Sequence, residues 1–184
     1  MTLVYLVQHG DKEPGPGDPG LTAAGRALAS RTARWLRGAG LSAVYSSPLR
    51  RAWQTAELIA AASGLDTRPD ARLRERMNWD GSQSLAEFLA GWDRSVLDRD
   101  FVPVAGDSSR GAGERLRAFV AGHRAEPGPV AAVTHGGVTA DLLRTLLGDD
   151  YLPAGLLAEG VPPCAITTID YPEVVGIASV AHLA

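Results

Sequence analysis

The chain opens on a short apolar, β-branched run, Leu3-Val4-Tyr5-Leu6-Val7, that stops at Gln8-His9-Gly10. A run of this length without a helical period predicts a buried strand feeding a loop. That loop, Asp11 to Gly20, is crowded with Pro and Gly. Leu28, Thr32, Trp35 and Leu36 then fall at helical spacing, with Thr22 as the predicted N-cap and Gly38 as the stop. Ala43-Val44-Tyr45-Ser46 predicts a second strand, and Ser47-Pro48 the cap and first residue of a helix ending near Gly64.

The middle of the chain loses this rhythm. Residues 66 to 83 are irregular and arginine-rich, a helix is predicted from Ser84 to about Arg94, and a Pro/Gly-bearing stretch runs through Gly106. After a predicted helix from Gly111 to Arg124, Val130-Ala131-Ala132-Val133-Thr134 predicts a further buried strand, ending at His135-Gly136-Gly137. Val138, Leu142, Leu143, Leu146 and Leu147 carry a helical stripe, and Ala165 to Asp170 and Val174 to Val180 predict two closing strands. Strands alternating with helices predict an α/β fold: a three-layer sandwich whose central sheet is mostly parallel and flanked by helices. The length of 184 residues suits one domain, 1–184, with an insertion at about 66–106 lying over one end of the sheet.

Composition narrows the chemistry. A net charge of −3 and 45% apolar residues describe an ordinary soluble protein, with no nucleic acid or other polyanion as a partner. The one cysteine, Cys164, rules out an internal disulfide and a cysteine metal cage, and fits a reducing cytoplasm. No basic leader precedes the first strand, and no stretch approaches the roughly 18 consecutive apolar residues of a membrane span, so neither export nor a membrane partner is expected. The histidines are dispersed, and no His-Glu-x-x-His or carboxylate cluster stands at ligand spacing; neither a metal nor another cofactor is expected.

His9 and His135 each follow a predicted parallel strand, and in such folds ligands sit beyond the carboxyl ends of the strands. Each is followed by Gly, which lets backbone approach a ligand, and His135 leads into a helix whose free N-terminal N–H groups favour an anion. Ser46-Ser47-Pro48-Leu49-Arg50-Arg51 brings cations to a third strand end. Arg50 and Arg51 stand about 100° apart around their helix, so they cannot aim equally well, and a solvated arginine pair is an equal alternative on these residues alone.

Gln8-His9-Gly10, Leu21-Thr22-x-x-Gly25, the run from Ser46 through Arg50-Arg51-Ala52-x-Gln54-Thr55-Ala56, Leu73-x-Glu75, Gly106-Asp107-Ser108 and His135-Gly136-Gly137 occur in this order over nearly the whole chain. In this the chain resembles the histidine phosphatase superfamily, the clan that includes cofactor-independent phosphoglycerate mutases. The resemblance implies a phosphomonoester hydrolase acting on a small phosphorylated metabolite or a phosphoprotein. His9 would take the phosphoryl group, Arg51 and His135 would clamp its oxygens beside Gln8 and Gly136, and Glu75 would donate the proton to the leaving group. Asp11 and Glu13 are the other carboxylates considered for that proton, and Arg50 a further cation.

The family motif begins Arg-His-Gly; here Gln8 stands first. A neutral amide in place of a guanidinium weakens a phosphate contact by about 1–2 kcal/mol. Three readings follow: a phosphatase in which Arg50 or another arginine compensates, an enzyme for a less charged phosphoester, or a module that binds phosphorylated ligands without turning them over. The Asn that many members carry after the motif is also missing, with Pro14-Gly15-Pro16 in its place. A mutase of the phosphoglycerate type is a further alternative, although about forty residues from Asp66 to Gly106 is short for retaining a bisphosphorylated intermediate. Of the rest, Asp141 is expected to face solvent as a helix-dipole partner, His123 and His182 to be exposed, and Trp35 and Trp53 to pack in the core. Trp79 and Trp92 are placed to wall a substrate pocket.

Overall fold

The computed structural model describes residues 2–184. Six strands form one sheet: β1 (Val4–Gln8), β2 (Ala43–Ser46), β3 (Thr67–Pro69), β4 (Val130–Thr134), β5 (Ile166–Asp170) and β6 (Glu173–Ser179), in the order β3-β2-β4-β1-β5-β6. The pairs β3/β2, β2/β4 and β4/β1 are parallel; β5 is antiparallel to β1 and to β6. The sheet is mostly parallel, as expected, in three of its five pairings, and is mixed because the two closing strands form an antiparallel hairpin on its β1 edge.

The layers follow from strand alternation. Val4 and Leu6 of β1 and Ala132 of β4 face α4 (Ser109–Gly122) and α5 (Gly136–Leu147), where Leu116, Phe119, Val138 and Leu142 are fully buried. Val7, Ala131 and Val133 face α1 (Ala23–Leu36) and α2 (Arg50–Ser63), where Leu36, Ala52, Ala56 and Ile59 pack. β4 lies between two parallel neighbours and every one of its residues is buried, hence its unbroken apolar run.

Local signals mark most helix ends. Thr22 accepts a hydrogen bond from the Gly25 N–H and caps α1, and Gly64 ends α2 in the left-handed region at φ 67°. α1 ends at Leu36, and a 3-10 turn, Arg37–Ala39, carries the chain past the expected stop at Gly38 to a left-handed Gly40. α2 begins at Arg50, later than Ser47-Pro48 predicts: its first N–H donates to the Asp18 carboxylate at 2.7 Å, while the Ser47 hydroxyl is engaged elsewhere. α3 (Leu85–Leu97) carries a capping box between Ser84 and Glu87.

The middle segment corrects the sequence reading in one respect. Thr67–Pro69 joins the sheet as its outermost strand, so the stretch from 66 begins inside the sheet before crossing its end as α3. Only Ser95 of α3 is buried. A short helix, α6 (Leu156–Glu159), lies between α5 and β5. Among the described residues no helix is long and apolar enough to cross a membrane.

Candidate active site

Register brings the two histidines together. Gln8 pairs with Thr134 across the parallel β1/β4 ladder, so His9 and His135 are the next residues along adjacent strands. Adjacent strands are about 4.8 Å apart, and the two rings lie 5.1 Å apart, centroid to centroid, at an interplanar angle of 62°. Ser46 pairs with Val133 on the other side of β4, which sets Ser47 beside His135; its Oγ is 2.7 Å from His135 Nε2.

The tautomer of His9 is fixed by its neighbours. Nδ1 lies 2.7 Å from the carbonyl oxygen of Gly10, which can only accept, so Nδ1 carries the proton. Nε2 then keeps a lone pair, and it accepts from Arg51 Nε–H at 3.2 Å, with the Gln8 amide nitrogen 3.4 Å away. Burial, aided by the Arg51 charge, lowers the His9 pKa to about 4, the Gly10 carbonyl opposing. The ring is therefore neutral at neutral pH. His135, fully buried, is held well below the usual imidazole range by desolvation, then by the neighbouring His9 ring and the charges of Arg51 and Arg115.

Arg51 is 4% exposed and splits its guanidinium between His9 and Asn78, whose Oδ1 accepts from both terminal nitrogens at 3.3 Å. Asn78 donates in turn to the Gly17 carbonyl at 2.7 Å, tying the Pro/Gly loop to the middle segment. No motif marks Asn78, and sequence reasoning missed it. Gln54 and Thr55, within the recognised run, hold the same loop: Gln54 accepts from Leu21 N–H and Thr55 from Gly10 N–H. Gly25 admits no side chain, since a Cβ there would lie 2.1 Å from the Asp11 carbonyl oxygen.

Glu75 lies across the first turn of α5. Its carboxylate accepts from the N–H groups of Gly137, Val138 and Arg76, at 3.0, 2.8 and 2.7 Å. Its flanking arginines turn away to other carboxylates: Arg74 to Asp107 and Arg76 to Asp141. Gly106 makes room for this turn, because a Cβ there would stand 2.2 Å from the Arg76 carbonyl oxygen. Asp107 also binds Arg115, and Ser108 caps α4, so each residue of Gly106-Asp107-Ser108 has a structural duty.

Two cavities flank Glu75 and Trp92. One, of about 260 Å3, is lined by His9, Lys12, Arg51, Asn78, Trp79 and Phe88; the other, of about 310 Å3, by Gln8, Arg76, Gly136, Gly137, Val96 and the segment 156–161. Glu75 and Trp92 line both. Gln8 Oε1 and His135 Nδ1 are buried without a hydrogen-bond partner among the described residues. Buried polar atoms are costly to leave unpaired, so this pair at strand ends points to a polar ligand.

The remaining expectations divide. Arg50, Asp11 and Glu13 are exposed and line neither cavity; Arg50 turns toward Gly20, and Asp11 accepts from the Thr22 hydroxyl. Asp141 does not face solvent: it is fully buried, paired with Arg76 at 2.8 Å and hydrogen-bonded by Ser109. Burial pushes its carboxyl up to about 6 despite Arg76. His123 is buried, 7% exposed, between Tyr45 and Phe119, and His182 is half-buried against Thr32. Trp35, expected in the core, is 47% exposed along the edges of Tyr5 and His182, whereas Trp53 is half-buried.

An α/β sandwich with paired strand-end histidines and a buried arginine defines a class of phosphoryl-handling proteins. The chain belongs to the histidine phosphatase superfamily, branch 1, whose family model matches residues 4–176. It is similar to a probable phosphoglycerate mutase, GpmB, of Salmonella paratyphi A, 33% identical over 97% of this chain and 89% of that protein. Among solved structures it resembles a mycobacterial glucosyl-3-phosphoglycerate phosphatase, 29% identical with a TM-score of 0.73 over 91% of this chain and 89% of that one. YhfR of Bacillus stearothermophilus matches over the full length of both chains, at 26% identity and a TM-score of 0.77.

Proposed function

We propose that this protein is a phosphomonoester hydrolase working through a phosphohistidine on His9. The observation that carries the reading is the His9 ring: neutral, with Nδ1–H held by the Gly10 carbonyl and the Nε2 lone pair facing Arg51. In the first step Nε2 bonds to phosphorus as the P–O bond to the leaving group breaks, and Glu75 gives that oxygen a proton. In the second, Glu75 takes a proton from water as the water oxygen bonds to phosphorus and the N–P bond breaks, releasing inorganic phosphate. Glu75 ends as it began.

Arg51, His135, Gln8 and the Gly136 backbone would bind the equatorial oxygens, where charge accumulates in the transition state. Splitting the reaction at a covalent intermediate suits a nucleophile better than water. Hydrolysis is favoured over transfer by the short middle segment and by the phosphatase named among the similar structures; the mutase name of the Salmonella relative makes transfer the competing enzymatic outcome. The leaving group would be small or half-enclosed, against Trp79, Phe88 and Trp92. The neutral Gln8 favours a second reading, a phospho-ligand-binding module.

A panel of phosphomonoesters assayed with wild type, His9→Ala and Gln8→Arg separates these. Turnover abolished in His9→Ala, with label from a radioactive phosphoryl group retained on wild type after an alkaline quench, is the expected result. Phosphoryl transfer between phosphoglycerates in place of phosphate release would establish a mutase, and ligand affinity without turnover a binding module.

A further inference from the structure

Position 8 leaves the phosphoryl site short of positive charge. Burial depresses both His9 and His135, so neither supplies a cation at neutral pH, and the Gln8 amide is neutral. Arg76 lines the cavity beside Gln8 and Gly136, but Asp141 balances its charge, which leaves Arg51 as the unbalanced cation facing a group that carries about two negative charges when fully ionised. Arg50 is exposed outside the cavities and does not make up the difference.

Lys12 is the chain's one lysine among 18 basic residues, and it lines the cavity that His9 and Arg51 line. Its backbone is anchored: Lys12 bridges to Leu21, and Glu13 N–H donates to the Gly20 carbonyl at 2.9 Å. Its ammonium forms no ion pair among the described residues, and its hydrogen bond is a 3.5 Å contact to the adjacent Glu13 carbonyl. Burial and then the Arg51 charge lower its pKa, which marks it as partly desolvated beside that guanidinium, with Asp11 opposing. Both cations line one cavity. Although Asp11 lies near Lys12, and Glu75 and Asp18 near Arg51, neither cation is held in an ion pair among the described residues, so both are available to an anion. We propose that Lys12 is the second cation of the phosphoryl site, supplying from the first loop the charge that Gln8 does not.

The inference rests on the phosphoryl site of the preceding section, and inorganic phosphate tests it without turnover. Calorimetric titration with phosphate would compare wild type, Lys12→Met, Lys12→Arg and the double variant Lys12→Met/Gln8→Arg. Methionine keeps the aliphatic stem of this loop residue, so the fold is retained. We expect Lys12→Met to weaken phosphate about tenfold or more, the ratio carried by one charge-assisted hydrogen bond. Lys12→Arg should retain most of the affinity, and Gln8→Arg should restore it in the methionine background. A Lys12→Met protein within about twofold of a wild type that binds phosphate overturns the role of Lys12 alone. A wild type that binds no phosphate overturns the site itself.

Discussion

The Nε–H of Arg51 points at the Nε2 of His9 across 3.2 Å, so a fixed cation donates to the one ring nitrogen that carries no proton. That contact, with burial, keeps the imidazole unprotonated. Nitrogen-15 spectra of the histidines should show His9 as the Nδ1–H tautomer with a midpoint near pH 4. In Arg51→Met the midpoint should rise without reaching 6.5, because desolvation, the larger cause, remains. A wild-type His9 titrating near 6.5 would contradict the account.

The same shift makes the fold sensitive to acid. A histidine whose folded pKa lies below its unfolded value loses stability as pH falls from about 6.5 toward 4, since the unfolded chain takes up the proton first. For His9 the loss amounts to about 3 kcal/mol at the lower end. Asp141 works the other way, its raised carboxyl favouring the fold as pH falls below about 6. Urea unfolding of wild type and His9→Gln at pH 7 and pH 4 should therefore converge or cross, the variant losing less.

Gly137 has no room for a methyl group: its Cβ would stand 2.5 Å from the Trp92 ring and 2.6 Å from Glu75 Oε1. Both are side-chain ends, so Gly137→Ala should fold and displace them. We expect kcat to fall at least about tenfold while stability changes by roughly 1 kcal/mol. Unchanged kcat would mean that the position of Glu75 is immaterial.

Removing one half of the Arg76–Asp141 pair leaves a charge at 2% exposure without a partner. Asp141→Asn should cost about 3–5 kcal/mol in denaturant unfolding, and replacing both residues by apolar ones of similar volume should recover much of it. A loss below about 1 kcal/mol would show the pair to be dispensable.

What the sequence disclosed follows from what determines each feature. β2 and β4 coincide with their apolar runs because burial on both faces demands such runs. β3 escaped because an edge strand of three residues, Thr67-Arg68-Pro69, has one neighbour and little to bury. The meeting of His9 with His135 depends on β1 and β4 being adjacent, a matter of strand order that family motifs disclose and local pattern does not. Asp141 is set by Arg76, 65 positions away in the segment with least periodicity, and Asn78, in that same segment, by Arg51, 27 positions away in α2. Trp35 and His123 exchanged their expected environments because helical spacing marks a face without fixing its edges.

His9, Ser47 and His135 issue directly from the central strands, and Arg51 from the first turn of α2, whereas Trp79, Phe88, Trp92 and residues 156–161 belong to peripheral segments. In the proposed reaction, grip on phosphorus and choice of what is attached to it would thus be housed in separable parts of the molecule. New preferences can be grafted by exchanging two surface stretches while the central framework stays unaltered.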